Sequence, residues 1–278
     1  MKTSYTDAFV ITGATGAIGQ EIAKALALTK QPVVLACRDI IKANELRRGI
    51  IAATGNDSIY ARRLDLANPE SIRQFATLMA DDGFTVRALI NNAGVMMRKY
   101  TTTPDGREMT FAVNYIGTLM LTALLRPLIV KEGHIIFTTS LTRKLHRVAN
   151  IEIDERPDNF SQLGTYGRSK NALAHFSLFL AKLYPEIRIN CVDPGVVNSK
   201  MITMDRWYDP IANIAFRPFI RSARIGAKPA LKALLLKTSG NVVTNHFVRP
   251  LTYDPYAVGH GHLIEQTREY LSEMGVTI

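Results

Sequence analysis

The chain predicts an α/β fold, a doubly wound parallel sheet with helices on both faces. Three observations carry that prediction. Short apolar runs rich in β-branched residues recur along the 278 residues, helix-like segments separate them, and a glycine-rich turn follows the first run. Strand–helix alternation at this spacing is the signature of right-handed βαβ units. Runs without polar alternation suit strands covered on both faces.

The strands read in order as "AFVIT" (8–12), "PVVLAC" (32–37), "SIYARRL" (58–64), "VRALIN" (86–91), "GHIIFTT" (133–139) and "IRINCV" (187–192). Between the first four lie "AIGQEIAKALAL", "DIIKANELRRGIIAA" and "PESIRQFATLMAD", all helix-like. The third starts well: Asn68 can cap, Pro69 suits the first helical position and Glu70 favours the positive helix end. "GTYGRSKNALAHFSLFLAKL" is a further helix, and "HLIEQTREYLSEMG" (262–275) a closing one.

No Pro/Gly/Ser-rich linker divides the chain and no repeat is visible, so residues 1–278 read as one domain. The tract 196–224 breaks the pattern, mixing Trp, Tyr, Phe, Met and Arg, and reads as a substrate-loop insert. Its Met201–Phe219 part could be a lid over an apolar pocket; core and dimer patch are the other readings.

Composition excludes several classes. At 47% hydrophobic and 21% charged, the chain can build a sizeable core. Cys37 and Cys191 sit in apolar runs and cannot make a disulfide framework, which fits a reducing compartment. The longest membrane candidate, "TLMLTALLRPLIV", is broken by Arg126 and Pro127 short of the roughly 20 residues a span needs. Met1–Asp7 is polar, unlike a signal peptide. A soluble, cytoplasmic protein is expected. The net charge of +10 favours an anionic cofactor. Nucleic acid is not expected, because the basic clusters at 143–147 and 217–224 lack interleaved aromatics. Neither "HGH" (260–262) nor His146 and His175 have ligand-spaced partners, so no metal is expected.

"TGATGAIG" places Gly13, Gly16 and Gly19 where a strand gives way to a helix. Gly13 allows a tight exit, Gly16 lets backbone N–H groups approach a pyrophosphate, and Gly19 lets the helix pack close. Where dinucleotide folds carry an acidic residue at the end of strand two, this chain has Cys37 followed by Arg38. A guanidinium there can pair with a 2′-phosphate, favouring NADP(H) over NAD(H). Asp39 could neutralise it or reach a ribose, and Arg38 could equally be a solvated surface residue.

Tyr166 and Lys170 are four apart on the helix-like stretch and share a face. An ammonium and a positively charged nicotinamide would both favour phenolate, making Tyr166 a proton shuttle for an alcohol/carbonyl pair. Ser140, or Thr139 beside it, could hold the carbonyl oxygen; strand alternation does not choose between them.

In order along the chain stand "TGATGAIG", "LDL" (64–66), "NNAG" (91–94), Asn114 in "AVNYIGT", Ser140, "YGRSK" (166–170) and "DPG" (193–195). This order resembles the short-chain dehydrogenase/reductase family over nearly the whole chain. "VLACRD" and "NNAGVMM" are most similar to its retinol-dehydrogenase-like branch. The turn departs from that family's compact members, having G-x-x-G-x-x-G where they have G-x-x-x-G-x-G. The resemblance implies a single-domain Rossmann fold and a catalytic set of Asn114, Ser140, Tyr166 and Lys170. It also implies cofactor contacts by Gly13, Thr15, Gly16, Ile18, Gly19, Asp65, Leu66, Asn92, Ala93 and Gly94. Tyr166, Lys170, Pro194, Gly195 and Val197 complete them, beside Arg38. Lys170 would bind the nicotinamide ribose, Asn114 would serve a proton relay through water, and Asp65 would accept from the adenine amino group. Asn91 and Asn92 could instead tie strands together. The expected activity is NAD(P)-dependent hydride transfer to or from a small-molecule alcohol or carbonyl, in a homodimer or homotetramer. A catalytically inactive dinucleotide-binding sensor and a sugar-nucleotide epimerase are the alternatives.

Overall fold

The computed structural model describes residues 7–145, 151–153, 156–197, 221–252 and 260–278. β1 (Ala8–Thr12), β2 (Val33–Cys37), β3 (Ile59–Arg63) and β4 (Val86–Asn91) follow the apolar runs to within a residue. They alternate with α1 (Ala17–Ala27), α2 (Ile40–Thr54) and α3 (Pro69–Asp81). β5 (Ile129–Thr138) starts four residues before the expected run, and β6 is Arg188–Val192. α4 (Met109–Phe111) passes through a π-helical stretch, Ala112–Gly117, into α5 (Thr118–Leu125). α6 spans Gln162–Leu183. Beyond β6 come α7 (Ala223–Ala233), β7 (Asn241–Val243), β8 (Val248–Pro250) and α8 (His260–Glu273).

The sheet order is β3-β2-β1-β4-β5-β6-β7-β8, parallel throughout except for the antiparallel β8. β7 and β8, three residues each, are too short to leave an alternation pattern and escape the sequence reading. The order reverses direction between β1 and β4, which opens a crevice at the carboxyl ends of those strands.

Strand residues alternate between two cores. Ala8 and Val10 face one layer with Phe75, Leu119 and Phe176; Phe9 and Ile11 face the other with Ile22, Ile50 and Ala230. Thus α3, α5 and α6 cover one face and α1, α2 and α7 the other. Asn68 caps α3 as expected, accepting from the N–H of Glu70 at 2.9 Å and of Ser71 at 3.2 Å. The helical run Met109–Leu128 is long and apolar enough to cross a membrane by composition, but it is largely buried in the first of these cores.

The late tract 196–224 ends in the first turn of α7. The predicted lid, residues 201–219, lies outside the described residues, as does Val148 of the Ser140-to-Tyr166 interval. Ile151 of that interval is buried in the core, and Ile153 packs against it.

Candidate active site

The glycine turn is fixed by close approach. Gly13 has φ +62°, and a Cβ there would lie 2.8 Å from Ala93 Cα. A Cβ on Gly19 would lie 2.5 Å from the Gly13 carbonyl oxygen. Gly16 begins α1 in extended conformation with no side chain capping the helix, so the first-turn N–H groups and the helix dipole face outward. Small residues and an uncapped helix start at a crevice fit a dinucleotide's pyrophosphate. Ile18, on the first turn, meets Val197 over Gly226: a Cβ on Gly226 would lie 2.6 Å from Val197 Cγ2 and 3.3 Å from Ile18 Cγ1. This brings the end of β6 to the turn. Thr15 lends its carbonyl to Gln20 Nε2 at 2.9 Å.

"NNAG" proves partly structural. Asn92 Nδ2 donates to the carbonyls of Thr12 at 3.0 Å and Gly13 at 3.3 Å. Asn91 Nδ2 donates to Thr122 Oγ1 at 3.2 Å. Thr12, which the sequence reading passed over, accepts from the N–H groups of both Asn92 and Ala93 at 3.0 Å. Its signal was a polar residue closing an otherwise apolar strand.

At the end of β2, Cys37 is buried and Arg38 exposed. Asp39 pairs with Lys42 rather than with Arg38. Its carboxylate caps α2, accepting from the N–H of Ile41 and Lys42 at 3.1 Å, and pairs with Lys42 Nζ at 3.1 Å. The Lys42 N–H is the main cause holding this carboxyl below its usual range. Asp65 is half-buried, with Oδ1 accepting from the Ala67 N–H at 3.0 Å; Leu66 beside it is buried.

The residues expected to be catalytic converge. Ser140 comes close enough to Tyr166 to ease the rise of its phenol, although the two lie 26 residues apart at the ends of α6 and β5. Thr139 is committed elsewhere, donating to the Val192 carbonyl at 3.0 Å. Lys170 Nζ donates to the Thr138 carbonyl at 2.9 Å and lies 5.8 Å from the Tyr166 ring centre. Asn114, in the π-helical stretch, accepts from the Val95 N–H at 2.8 Å. It donates to the Val95 carbonyl at 2.9 Å and to Ser169 Oγ at 3.1 Å. A Cβ on Gly94 would meet Asn114 Oδ1 at 3.2 Å and Lys170 Nζ at 3.3 Å, so these three groups adjoin.

Burial pushes the Tyr166 phenol up to about 12, against the smaller opposing effect of the Ser140 hydrogen bond, and Asp193 adds to the rise. Burial likewise brings Lys170 down to about 8. In the chain alone burial favours the neutral phenol of Tyr166.

At the end of β6, Gly195 has φ +74° and donates its N–H to Asp193 Oδ1 at 2.9 Å. Thr138 Oγ1, Thr142 Oγ1, Arg143 Nε and Asp193 Oδ2 are all buried without a hydrogen-bond partner among the described residues. They cluster in sequence around Ser140 and "DPG", at the edge where a polar ligand would satisfy them. Among the described residues no group of three His, Cys, Asp or Glu side chains gathers as a metal site would.

A parallel sheet with a glycine turn at its switch point and a Ser–Tyr–Lys cluster along the same edge defines a dinucleotide-binding Rossmann protein. Residues 7–207 match the short chain dehydrogenase family, and the chain belongs to it. Within it the chain falls in the retinol-dehydrogenase-like branch. It is 36% identical to Retinol dehydrogenase 12 of Mus musculus over 230 residues, 81% of this chain and 72% of that one. A solved structure from Mycobacterium Paratuberculosis superposes with TM-score 0.73 at 24% identity, covering 96% of this chain and 93% of that one. A short chain dehydrogenase from Escherichia coli CFT073 complexed with NADPH superposes with TM-score 0.66 at 22% identity, covering 89% of this chain and 100% of that one. The family membership establishes the coarse activity: NAD(P)-dependent oxidoreduction of a small molecule.

Proposed function

We propose that the chain interconverts an alcohol and a carbonyl with NADP(H), using Tyr166 as the acid/base. The observation that carries this reading is the convergence of Lys170, whose Nζ lies 5.8 Å from the Tyr166 ring centre and donates to the Thr138 carbonyl, with Ser140 two residues beyond Thr138 on the same edge. Bound NADPH would supply a hydride to the carbonyl carbon. Tyr166 donates its hydroxyl proton to the carbonyl oxygen, Ser140 hydrogen-bonds that oxygen and holds it in line, and the alcohol is complete. Lys170 holds the nicotinamide ribose and supports the phenolate left behind. Asn114 keeps Val95 and Ser169 in place on either side of this group; the water relay that the family pattern assigns to it belongs to the same proposal.

Arg38 supports the NADP(H) preference, since it is an exposed guanidinium at the end of β2 while Asp39 caps α2 and pairs with Lys42. The relatives' names, retinol dehydrogenases, support an apolar or medium-sized substrate. Two buried free thiols support a reducing, cytoplasmic setting, and self-association as dimer or tetramer is part of the same reading.

The test is loss of NADPH absorbance against a panel of apolar aldehydes and ketones, with NADH in parallel. Turnover with NADPH preferred is the expected result. Binding of NADPH without oxidation across the panel would leave a nucleotide holder. Arg38→Asp should weaken NADPH binding by about tenfold or more and leave NADH unharmed, as loss of a charge-assisted pair does; an unchanged ratio would put the discrimination elsewhere.

A further inference from the structure

The closing helix α8 buries Leu263, Thr267, Tyr270 and Leu271, which share one helix face. Thr267, short and polar, sits in the middle of this stripe and is 0% exposed. Its hydroxyl donates to the Leu263 carbonyl at 2.6 Å, so toward any other neighbour it can only accept. That neighbour is the Tyr115 hydroxyl at 2.7 Å, 152 residues away in the chain. Tyr115 is also 0% exposed, its ring packed edge-on against Phe111 and Phe176 at 6.3 and 6.2 Å between centres.

Tyr115 directly follows Asn114, and both belong to the π-helical stretch Ala112–Gly117. Such a stretch departs from ordinary helical bonding, so contacts from outside must fix its register. Toward the site, Asn114 brackets Val95 through both its N–H and its carbonyl, and Gly117 leaves no room for a Cβ beside the Leu66 carbonyl. Toward the core, Tyr115 is held by Thr267. We propose that Thr267 is a positioning residue for the reaction: through the Tyr115 hydroxyl, α8 fixes the register of the π-helical stretch and so sets Asn114 against Val95 and Ser169. The inference rests on the reading of Asn114 and Lys170 as members of the catalytic group. A Cβ on Gly94 would meet Asn114 Oδ1 at 3.2 Å and Lys170 Nζ at 3.3 Å, so a displaced Asn114 is felt at the lysine.

Two substitutions remove the bond from opposite ends. Tyr115→Phe strands no buried polar group, because Thr267 keeps the Leu263 carbonyl, and so should fold readily. Thr267→Val keeps the shape of the side chain and leaves the phenol without its acceptor; Thr267→Ser keeps the hydroxyl and serves as the rescue. In protein labelled with 15N-valine, the Val95 amide reads its bond to Asn114 Oδ1, its resonance assigned by loss in Val95→Ile. In Tyr115→Phe and Thr267→Val the Val95 amide proton should move upfield as that bond lengthens. With NADPH affinity unchanged, kcat should fall about fivefold, the worth of one buried hydrogen bond. Thr267→Ser should restore both. A bond serving stability alone would lower the melting temperature and leave the resonance and kcat in place. A parent-like Val95 resonance in folded Tyr115→Phe overturns the proposal, and so does a moved resonance with unchanged kcat. The resonance is read without substrate. A parent that turns nothing over would therefore refute the proposed activity, while the Val95 amide still decides whether Thr267 places Asn114.

Discussion

The glycine turn after β1 and the hydroxyl cluster after β5 stand at the same edge of the sheet, yet they are made of opposite materials. The turn is backbone: Gly13, Gly16 and Gly19 expose N–H groups, and what fixes them is lack of room beside Ala93 and the Gly13 carbonyl. The cluster is side chain: Ser140, Tyr166 and Lys170 come from separate elements, and what tunes them is burial. A site built from backbone fails by crowding and is indifferent to pH. One built from buried titratable groups keeps its shape under conservative substitution and changes its protonation instead. The contrast says which kind of perturbation each region should answer to.

The largest effect should come from the side-chain region. Tyr166→Phe removes the proton donor and keeps the ring, so turnover should fall by roughly 10²–10⁴-fold while NADPH affinity, read by fluorescence titration, stays within a few-fold. Comparable turnover in that variant would move the acid/base elsewhere.

Next in size is a pH signature of Lys170. Its folded value of about 8 lies below its usual 10.5, so the unfolded chain binds the extra proton between those values and stability rises with pH across that window. The gain is about 3 kcal/mol. Lys170→Met lacks the group and should show no such rise, so its advantage over the parent at pH 7 should close by about pH 10. Denaturant unfolding at several pH values reads it, and parallel slopes would mean that Lys170 is not desolvated.

The smallest effect tests the backbone region. Gly13→Ala meets a left-handed backbone and the Ala93 contact at 2.8 Å. It should cost about 1–2 kcal/mol and weaken NADPH by about tenfold, with no change in the pH dependence of what activity remains. A shifted pH profile would blur the distinction between the two regions.

Sequence legibility followed the same division. The turn, the cap of α3 and strands β1–β4 are written in short spans, because local spacing and local caps determine them. The catalytic residues could be named only from their order in the chain; their convergence depends on β5, α6 and β6 packing together, which no local pattern encodes. Two kinds of feature were missed for one reason each: the roles of Asp39 and Thr12 turn on which of several polar partners wins, and β7 and β8 are too short for periodicity.

The most direct test of the whole account is a crystal structure with oxidised NADP bound. The pyrophosphate should rest on the turn at Gly13–Gly19 with the nicotinamide beside Gly195. Between its C4 atom and the Ser140 and Tyr166 hydroxyls there should remain a gap that one carbonyl group fills. A nicotinamide seated away from that pair, or a Tyr166 hydroxyl turned from Ser140 when the nucleotide is in place, would contradict it.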